Sequence, residues 1–186
     1  MSAGPMRKSL ASRASEPHHA AATETVNIRI ATAADVDAMV GIARACPAAP
    51  QWSDHQFREL FKADQPRRVL ALILRNSSDA SDGTPCRACG FLVASHVPQK
   101  NFQQEWELES IAVDPSAGRR GLGTSLLREL VNHVSAQGGG SILLEVRAGN
   151  TAARSFYEKC AFAHAGSRKS YYAHPIDDAI LYRRNV

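Results

Sequence analysis

A short glycine-rich turn between a strand and a helix constrains this chain more than any other feature. Residues 118–123 read Gly-Arg-Arg-Gly-Leu-Gly and follow a strand-like run that stops at Asp114-Pro115. Apolar residues then recur at helical spacing until the glycines of residues 138–140 end the helix (Leu122, Leu126, Leu127, Leu130, Val131 and Val134). A strand, a turn and a helix in this order leave free backbone N–H groups at the positive end of a helix dipole. The turn therefore predicts a place where a phosphate could bind.

The same turn excludes two common nucleotide motifs. No Gly-Lys-Ser/Thr follows it, so it is not a P-loop, and its glycine spacing is not that of a dinucleotide fingerprint, because Leu126 takes the third position. Arg119 and Arg120 add positive charge at the turn. Taken alone, however, the motif is equally compatible with an ordinary helix N-terminus that carries turn glycines and two solvated arginines.

The rest of the chain alternates between strand-like and helix-like runs. The chain has 186 residues, of which 44% are hydrophobic and 22% charged, a profile typical of one α/β or α+β domain. Residues 1–25 lack apolar periodicity and predict a disordered tail, so the domain is expected over residues 26–186. Alternation or apolar spacing predicts strands near residues 26–30, 69–74, 88–95, 106–113, 141–147, 162–172 and 179–184, and helices near 32–46, after Ser53, and near 150–160.

Charge and cysteine content narrow the possible partners. The 22 Lys and Arg residues exceed the 18 Asp and Glu residues by four, which mildly favours an acidic partner but is too small to indicate direct DNA binding. No apolar run is long enough to predict a membrane span. The four cysteines do not form a disulfide framework and no signal peptide is recognisable, so a reducing cytoplasm is expected. Cys86 and Cys89 have the spacing of half a zinc site, but no second pair completes it, and no metal is expected.

Two side chains near the turn could move protons. Glu145 interrupts an otherwise apolar strand, where a charge is costly unless it is paired or used, and a carboxylate there suits a general base. The alternative is a salt bridge with Arg147, which shares its strand face. Tyr157 lies on the following helix and could donate a proton to a leaving group. A lone tyrosine there is more often a core aromatic, although Phe156 fits that role better.

Four segments together resemble the GCN5-related N-acetyltransferase (GNAT) superfamily, and within it the RimI-type ribosomal-protein alanine N-acetyltransferases. They read Ile-Ala-Val-Asp-Pro at residues 111–115, Arg-Arg-Gly-Leu-Gly at 119–123, Leu-Glu-Val-Arg-Ala-Gly-Asn at 144–150 and Phe-Tyr-Glu at 156–158. The resemblance covers about residues 26–184. It implies the GNAT fold, which is a single mixed, twisted β-sheet flanked by helices (α/β or α+β), with strands that splay apart on either side of the glycine turn to form the cofactor cleft.

The resemblance also implies acetyl-CoA as co-substrate and assigns its contacts. Ile111, Ala112 and Val113 would give main-chain contacts to the acetyl and pantetheine portion, and Asn150 would hold the pantetheine arm. The turn would cradle the pyrophosphate with six residues (Arg119, Arg120, Gly121, Leu122, Gly123 and Thr124). Its first position, Gln or Arg in the superfamily, is Gly118 here, which removes one side chain near the phosphates.

By the same resemblance, Glu145 would accept a proton through water from the attacking amine, and Tyr157, also at the cofactor, would protonate the departing CoA thiolate. The oxyanion would be held by a backbone N–H on the strand that ends at Val113. An α-amine is the favoured acceptor, because its pKa of about 7.7–8.0 lies below the roughly 10.4 of lysine. Glu107, Glu109 and the pair Tyr171-Tyr172 are hypothetical contacts to it.

We therefore predict that this protein acetylates the N-terminal α-amine of another protein. The acetylated residue is expected to be alanine and the acceptor to be a ribosomal protein. Two alternatives remain open. The acceptor could be a small amine or a lysine, or the chain could be a non-catalytic CoA-binding or RNA-associated module, as its net charge of +4 and Arg-rich turn suggest. The oligomeric state is not predicted.

Overall fold

The computed structural model describes residue 1 and residues 26–64, 67–76, 87–98, 104–117 and 120–186. Seven strands and four α-helices lie in these ranges, each near a position that the sequence predicts. The strands are β1 (Val26–Ile30), β2 (Val69–Asn76), β3 (Ala88–Val97), β4 (Glu105–Val113), β5 (Ser141–Arg147), β6 (Ala163–Ala173) and β7 (Ile176–Asn185). The helices are α1 (Val36–Ala45), α2 (Asp54–Glu59), α3 (Leu122–Ala136) and α4 (Thr151–Lys159).

All seven strands form one sheet in the order β1-β2-β3-β4-β5-β7-β6. Every neighbouring pair is antiparallel except β4 and β5, which run parallel because α3 crosses over between them. The predicted fold class is thereby confirmed as a mixed sheet flanked by helices. The one parallel pair is also where the glycine turn lies, so the predicted phosphate site and the change of strand direction coincide.

Each face of the sheet buries its own apolar cluster. One face packs against α3 and α4, and its fully buried members include Leu126, Leu130, Trp106, Ile142 and Tyr182. The other packs against α1 and α2, with Met39, Phe57, Ile73 and Phe91 fully buried. We call these the α3 face and the α1 face. Because helices cover both faces of the sheet, a ligand can reach from one face to the other only where two strands separate.

The sequence predicts a helix that starts at Thr32, but the structure begins it with a 3-10 turn, and α1 starts at Val36. Asp35 causes this difference. Its side chain is 1% exposed and receives two hydrogen bonds from Arg29, at 2.7 and 2.8 Å, and one from Arg75 at 2.9 Å. It also accepts from the backbone N–H of Thr32 at 2.9 Å, which fastens the start of the helix to β1 and β2. These hydrogen bonds, first of all those from Arg29, lower the pKa of Asp35.

Two other sequence predictions fall partly or wholly outside what the structure describes. Residues 2–25 of the expected tail are not described. Nor are residues 77–85 of the turn-rich stretch 76–85, for which the sequence predicts a hairpin tip. In the described part, β7 starts at Ile176 rather than at residue 179. The added residues pair with the end of β6, where Ala173 lies opposite Ile176, and so make a tight hairpin.

Candidate active site

A gap opens between the two parallel strands at the centre of the sheet. β4 and β5 pair over only three positions, from Glu105 opposite Ser141 to Glu107 opposite Leu143. Both strands then continue without pairing to each other, β4 to Val113 and β5 to Arg147. The edge of β4 that faces β5 therefore has no strand partner from Leu108 onwards. Unpaired main-chain groups at residues 111–113 are suited to hydrogen-bond an extended ligand inserted into the gap.

A bulge in β4 changes which side chains point to each face beside this gap. Val93 of β3 lies opposite Ser110, but the next residue, Ala94, lies opposite Leu108, so Glu109 is the extra residue. Before the bulge, Trp106 and Leu108 pack on the α3 face, whereas after it Ala112 packs on the α1 face. The bulge bends the strand away from β5, which is the geometry that the splayed cleft requires.

The first turn of α3 presents backbone donors at the open end of the gap. Gly121 is the N-cap and has φ of +72°, in the left-handed region that glycine adopts without a Cβ penalty. The Ser125 N–H donates to the Gly121 carbonyl at 3.0 Å, so the N–H groups of Leu122, Gly123 and Thr124 precede the first helical hydrogen bond. Three donors and the positive helix end thus point out of the helix, as an anion site needs.

The other residues of the predicted pyrophosphate turn differ in burial, and the structure does not describe all of them. The side chain of Leu122 is buried in the core, so only its backbone N–H is available to a ligand. Arg120 is exposed. Gly118 and Arg119 lie outside the described residues, and their placement stays a prediction.

Gly123 lets α3 and α4 approach each other beside the gap. A Cβ built on Gly123 would lie 3.2 Å from Cζ of Phe156, closer than most Cβ contacts. Because α4 follows β5 and α3 follows β4, this contact holds both helix N-termini at the same end of the two splayed strands. The last glycine of the turn is therefore required by helix packing as well as by any ligand.

Asn150 caps α4 at this end. Its side-chain Oδ1 accepts a hydrogen bond from the N–H of Ala153 at 3.1 Å. The capping bond occupies the oxygen and leaves the amide N–H₂ as the group that could donate to a ligand carbonyl. The sequence leaves the cap open between Asn150 and Thr151, and the structure assigns it to Asn150. The pantetheine contact, which the family resemblance implies, is compatible with this cap.

Asp114, which the sequence treats only as a strand terminator, orders the connection from β4 to α3. One carboxylate oxygen accepts from the backbone N–H and the hydroxyl of Ser116, at 2.9 and 2.7 Å, and the other accepts from Arg87 at 2.7 Å. The bonds from Ser116 lower the pKa of Asp114. Nearby, the thiol of Cys46 donates to the carbonyl of Val113 at 3.1 Å, which ties the end of α1 to the end of β4. These contacts fix the strand end beside the gap.

Glu145 lies on β5 where the gap has opened, and its side chain is on the α1 face. Ile142, Leu144 and Val146 are buried in the α3-face cluster, so the alternation along the strand places Glu145 on the opposite side. Its side chain is 21% exposed and forms an ion pair with Arg168 at 3.0 Å. The alternative partner, Arg147, instead donates to the carbonyls of His174 and Pro175 at 3.1 Å. The alternative of a salt bridge to Arg147 is therefore wrong.

Tyr157 is buried on the α3 face. Its ring packs against Phe156, Phe162 and Tyr182, at centroid distances of 5.3, 5.8 and 6.4 Å. Burial raises the pKa of Tyr157 to about 12, so the phenol keeps its proton at neutral pH and can act only as a donor. The expectation that Phe156 is the core aromatic of the pair is wrong, because Phe156 is only partly buried and packs on Gly123 instead.

Other acidic side chains lie beside Glu145. Glu107 is on the same face, since its cross-strand neighbour Leu143 is two residues before Glu145. Burial raises the pKa of Glu107, and the negative charges of Glu109 and Glu145 raise it further. The hypothetical acceptor contacts Glu107 and Glu109 are thus brought together with Glu145 at the α1-face mouth of the gap.

The β6–β7 hairpin borders this mouth. Arg147 holds its turn through the two carbonyl bonds, and the guanidinium carbon lies 4.1 Å from the ring centroid of Tyr172. The negative charge of Glu145 is the largest influence that raises the pKa of Tyr171, so this tyrosine also faces the carboxylate. Tyr171 and Ile176 remain exposed, at 50% and 78%. An exposed aromatic and an exposed aliphatic side chain next to a carboxylate could contact the chain that carries an incoming amine.

Two features, a membrane-spanning helix and a metal-ligand cluster, are absent from the described part of the chain. No helix there is long and apolar enough to cross a membrane. Within the same ranges, no three His, Cys, Asp or Glu side chains converge as metal ligands. Cys89 is buried with its thiol 3.7 Å from the carbonyl of Leu74, and Cys86 lies outside the described residues.

Comparison with known proteins identifies the family. The model of the acetyltransferase (GNAT) family matches residues 36–162, which include the gap, the glycine turn, Glu145 and Tyr157. The chain belongs to this family. It is an N-acetyltransferase whose co-substrate is acetyl-CoA, and its splayed strands and exposed helix N-terminus suit that ligand.

The relatives include N-terminal acetyltransferases. The chain is 35% identical over 156 residues to the ribosomal protein bS18-alanine N-acetyltransferase of Salmonella typhimurium. The aligned region covers 83% of this chain and 93% of that protein. The crystal structure of the ribosomal-protein-S18-alanine N-acetyltransferase from Escherichia coli superposes with a TM-score of 0.68 at 28% identity, over 87% of this chain and 94% of that one. Arabidopsis thaliana NAA60 in complex with acetyl-CoA has a TM-score of 0.73 at 17% identity, over 87% of this chain and all (100%) of that one, which shows the common fold.

Proposed function

We propose that this GNAT acetyltransferase acetylates the N-terminal α-amine of a protein and that its catalytic domain spans residues 26–186. One observation carries the proposal. Glu145 lies on the α1 face of the sheet, on β5 where the gap has opened, and Tyr157 is buried on the α3 face, on the helix that follows β5. A base on one face and an acid on the other suit a reaction in which the acceptor and the thioester enter from different sides.

In the proposed reaction, the acceptor amine approaches from the α1 face. Glu145 takes a proton from the α-ammonium group through a water molecule, and the free amine attacks the thioester carbonyl carbon. The nitrogen–carbon bond forms and the carbon–sulfur bond breaks. The thiolate then takes the phenol proton of Tyr157 on the α3 face. As the carbon–sulfur bond breaks, the nitrogen loses its second proton, which restores the phenol of Tyr157 by way of water. The proton held by Glu145 passes to solvent, so each turnover releases one proton.

The gap and its end would bind acetyl-CoA in the assignment we propose. Main-chain groups of Ile111, Ala112 and Val113 lie on the strand edge that lacks a partner, where they can bond the pantetheine and hold the oxyanion. The pyrophosphate would bind to the turn and the start of α3, where backbone N–H groups and two arginine side chains are available. The residues assigned to it are Arg119, Arg120, Gly121, Leu122, Gly123 and Thr124. The side-chain amide of Asn150 would donate to the pantetheine arm.

The choice of acceptor rests on two arguments. Three carboxylates at the α1-face mouth, Glu107, Glu109 and Glu145, favour a cationic group, and an α-ammonium loses its proton more readily than a lysine. The relative with 35% identity is named as acting on an alanine of ribosomal protein bS18. We therefore propose a ribosomal protein that begins with alanine as the acceptor. Such an acceptor would place the reaction in the cytoplasm.

The test measures kcat/KM for three acceptors at saturating acetyl-CoA. One is a peptide with a free N-terminal alanine and no lysine, the second is the same peptide with a blocked α-amine and one lysine, and the third is a free polyamine. The proposal expects the first to exceed the others by at least about tenfold. Faster acetylation of the blocked peptide or the polyamine would replace the α-amine with a lysine or a small amine. Binding of acetyl-CoA without turnover on any acceptor would indicate a CoA-binding module.

A further inference from the structure

Arg168 reaches the proposed base from two strands away. It lies on β6, which is separated from β5 by β7, yet its Nη2 is 3.0 Å from Oε1 of Glu145. The two residues are 23 positions apart in sequence and are not cross-strand neighbours. A guanidinium that spans an intervening strand to contact one carboxylate at a reaction site is not explained by sheet stability alone.

The strand between them is shaped to let the side chain pass. Arg168 lies opposite Ala179 of β7, and Ala179 in turn lies opposite Arg147 of β5. Ala179 is fully buried and contributes only a methyl group, so the long side chain of Arg168 can cross β7 at this row. From there it turns toward Glu145, which is one row away on the same face.

Hydrogen bonds to Asp178 hold the segment of β6 that follows Arg168. The register of β6 shifts between Arg168 and Tyr172, and Ser170 has φ of +50°. Asp178 fixes this irregular segment by accepting from the N–H of Ser170 at 2.9 Å and from Lys169 at 2.6 Å. The guanidinium carbon of Arg168 lies 5.3 Å from the ring centroid of Tyr171, so the two side chains meet at Glu145.

The charges around Glu145 are predominantly negative without Arg168. Glu107 faces it from β4, with Glu109 close to Glu107, and Tyr171 and Tyr172 face it from β6. The cations that act on this group are Arg168 from β6 and Arg67 from the residues before β2, while Arg147 on β5 is bonded to the hairpin turn. Arg168 is the cation in direct contact with Glu145.

We propose that Arg168 is a positioning residue that orients the Glu145 carboxylate and keeps it in the charged form that accepts a proton. This inference rests on the proposed role of Glu145. Loss of the guanidinium removes the ion pair of Glu145 and leaves no other ion-pair partner for it among the described residues. The negative charge of Glu107 then favours protonation of one member of the pair. A protonated Glu145 cannot accept a proton, so the loss of rate grows as the pH falls.

The experiment compares kcat/KM for the alanine peptide across a pH series in the wild-type protein, Arg168→Gln and Arg168→Lys, at saturating acetyl-CoA. The ratio of variant to wild type at each pH cancels the titration of the acceptor amine. For Arg168→Gln we expect a ratio within about threefold of one at alkaline pH that falls a further tenfold or so toward acid. Arg168→Lys is expected to restore most of the ratio at acid pH. Lys62→Gln, which removes an exposed cation paired with Glu59, is the matched control and is expected to give a ratio of one throughout.

A ratio that is lowered equally at every pH would overturn the proposal, because a merely structural role lowers activity without moving the titration. Arg168→Met, with a side chain of similar length, replaces Arg168→Gln if the latter does not fold. Glu145→Gln is measured in parallel. If Glu145→Gln keeps the wild-type rate, the base assignment fails, whereas a large loss in Glu145→Gln with a flat ratio in Arg168→Gln rejects only the role of Arg168.

Discussion

Glu145 and Tyr157 lie on opposite faces of the same sheet, Glu145 on a strand of the only parallel pair in the described part of the chain and Tyr157 on the helix that follows that strand. Glu145 points to the α1 face, where it contacts Arg168, and Tyr157 is buried in the α3-face cluster. The gap between β4 and β5 joins the two faces at this level. In the proposed reaction, proton removal and proton delivery would take place on different faces of the sheet, so each side chain can be tested by itself.

Replacement of Tyr157 by Phe tests proton delivery. Because the pKa of Tyr157 is raised to about 12, the phenol holds its proton through the neutral range, and its loss is expected to lower kcat by about 100-fold at all pH values up to 9. Tyr182→Phe is the control, since Tyr182 is a neighbouring buried tyrosine whose hydroxyl donates to Glu158 at 2.6 Å. That variant should lose about 1 kcal/mol of stability and keep kcat within about threefold. Equal kcat values for the two variants would contradict the assignment of Tyr157 as the acid.

Replacement of Gly123 by Ala tests the contact between α3 and α4. A helical Gly→Ala change normally stabilises by up to about 1 kcal/mol. At Gly41 of α1 a Cβ meets nothing within 4 Å, so Gly41→Ala is expected to raise Tm by about 2–4 °C. At Gly123 the new methyl group meets Phe156, so the gain is lost and the dissociation constant of acetyl-CoA rises several-fold. Thermal unfolding and calorimetric titration check both variants, and an equal rise in Tm with unchanged affinity would refute the packing argument.

Asp35 predicts a pH dependence of stability. Its pKa is lowered by hydrogen bonds from Arg29, so the stabilisation is present above the unfolded pKa of about 3.9 and is lost as the pH falls below that value. Asp35→Asn is expected to lower the free energy of unfolding by about 3 kcal/mol at pH 7, and the difference from wild type should shrink as the pH falls from 5 toward 2. Asp37→Asn is the control, because Asp37 is 90% exposed and its pair with Arg58 contributes little. Denaturant unfolding at several pH values measures the differences, and a constant difference would contradict the prediction.

The sequence predicts the order of the strands and helices well, because the apolar periodicities are long and the glycine turn marks a helix start under either of its interpretations. Residues 118–123 mark the start of α3, and Asn150 marks the start of α4, where capping chemistry is local. Glu145 also stands out, since a single charge in an apolar strand needs an explanation. Each of these features depends on neighbours within a few residues.

What the sequence misses depends on contacts between distant strands. Nothing local indicates that Arg168 pairs with Glu145, because the strand order places β7 between them and the register decides which side chains meet. Arg147, which is closer to Glu145 in sequence, instead donates hydrogen bonds to two carbonyl oxygens of the hairpin turn. Likewise, α3 packing decides that Tyr157 rather than Phe156 is buried, because the missing side chain of Gly123 accepts the Phe156 ring.

The most direct test of the account is Glu145→Gln, assayed with the alanine peptide beside calorimetric titration of acetyl-CoA. Loss of a general base is expected to lower kcat by at least about 100-fold. The dissociation constant of acetyl-CoA should stay within about twofold of wild type, because Glu145 points away from the α3 face. Glu129→Gln, which removes an exposed carboxylate on α3, is the control and should retain full activity. A Glu145→Gln protein that turns over at the wild-type rate would contradict the account.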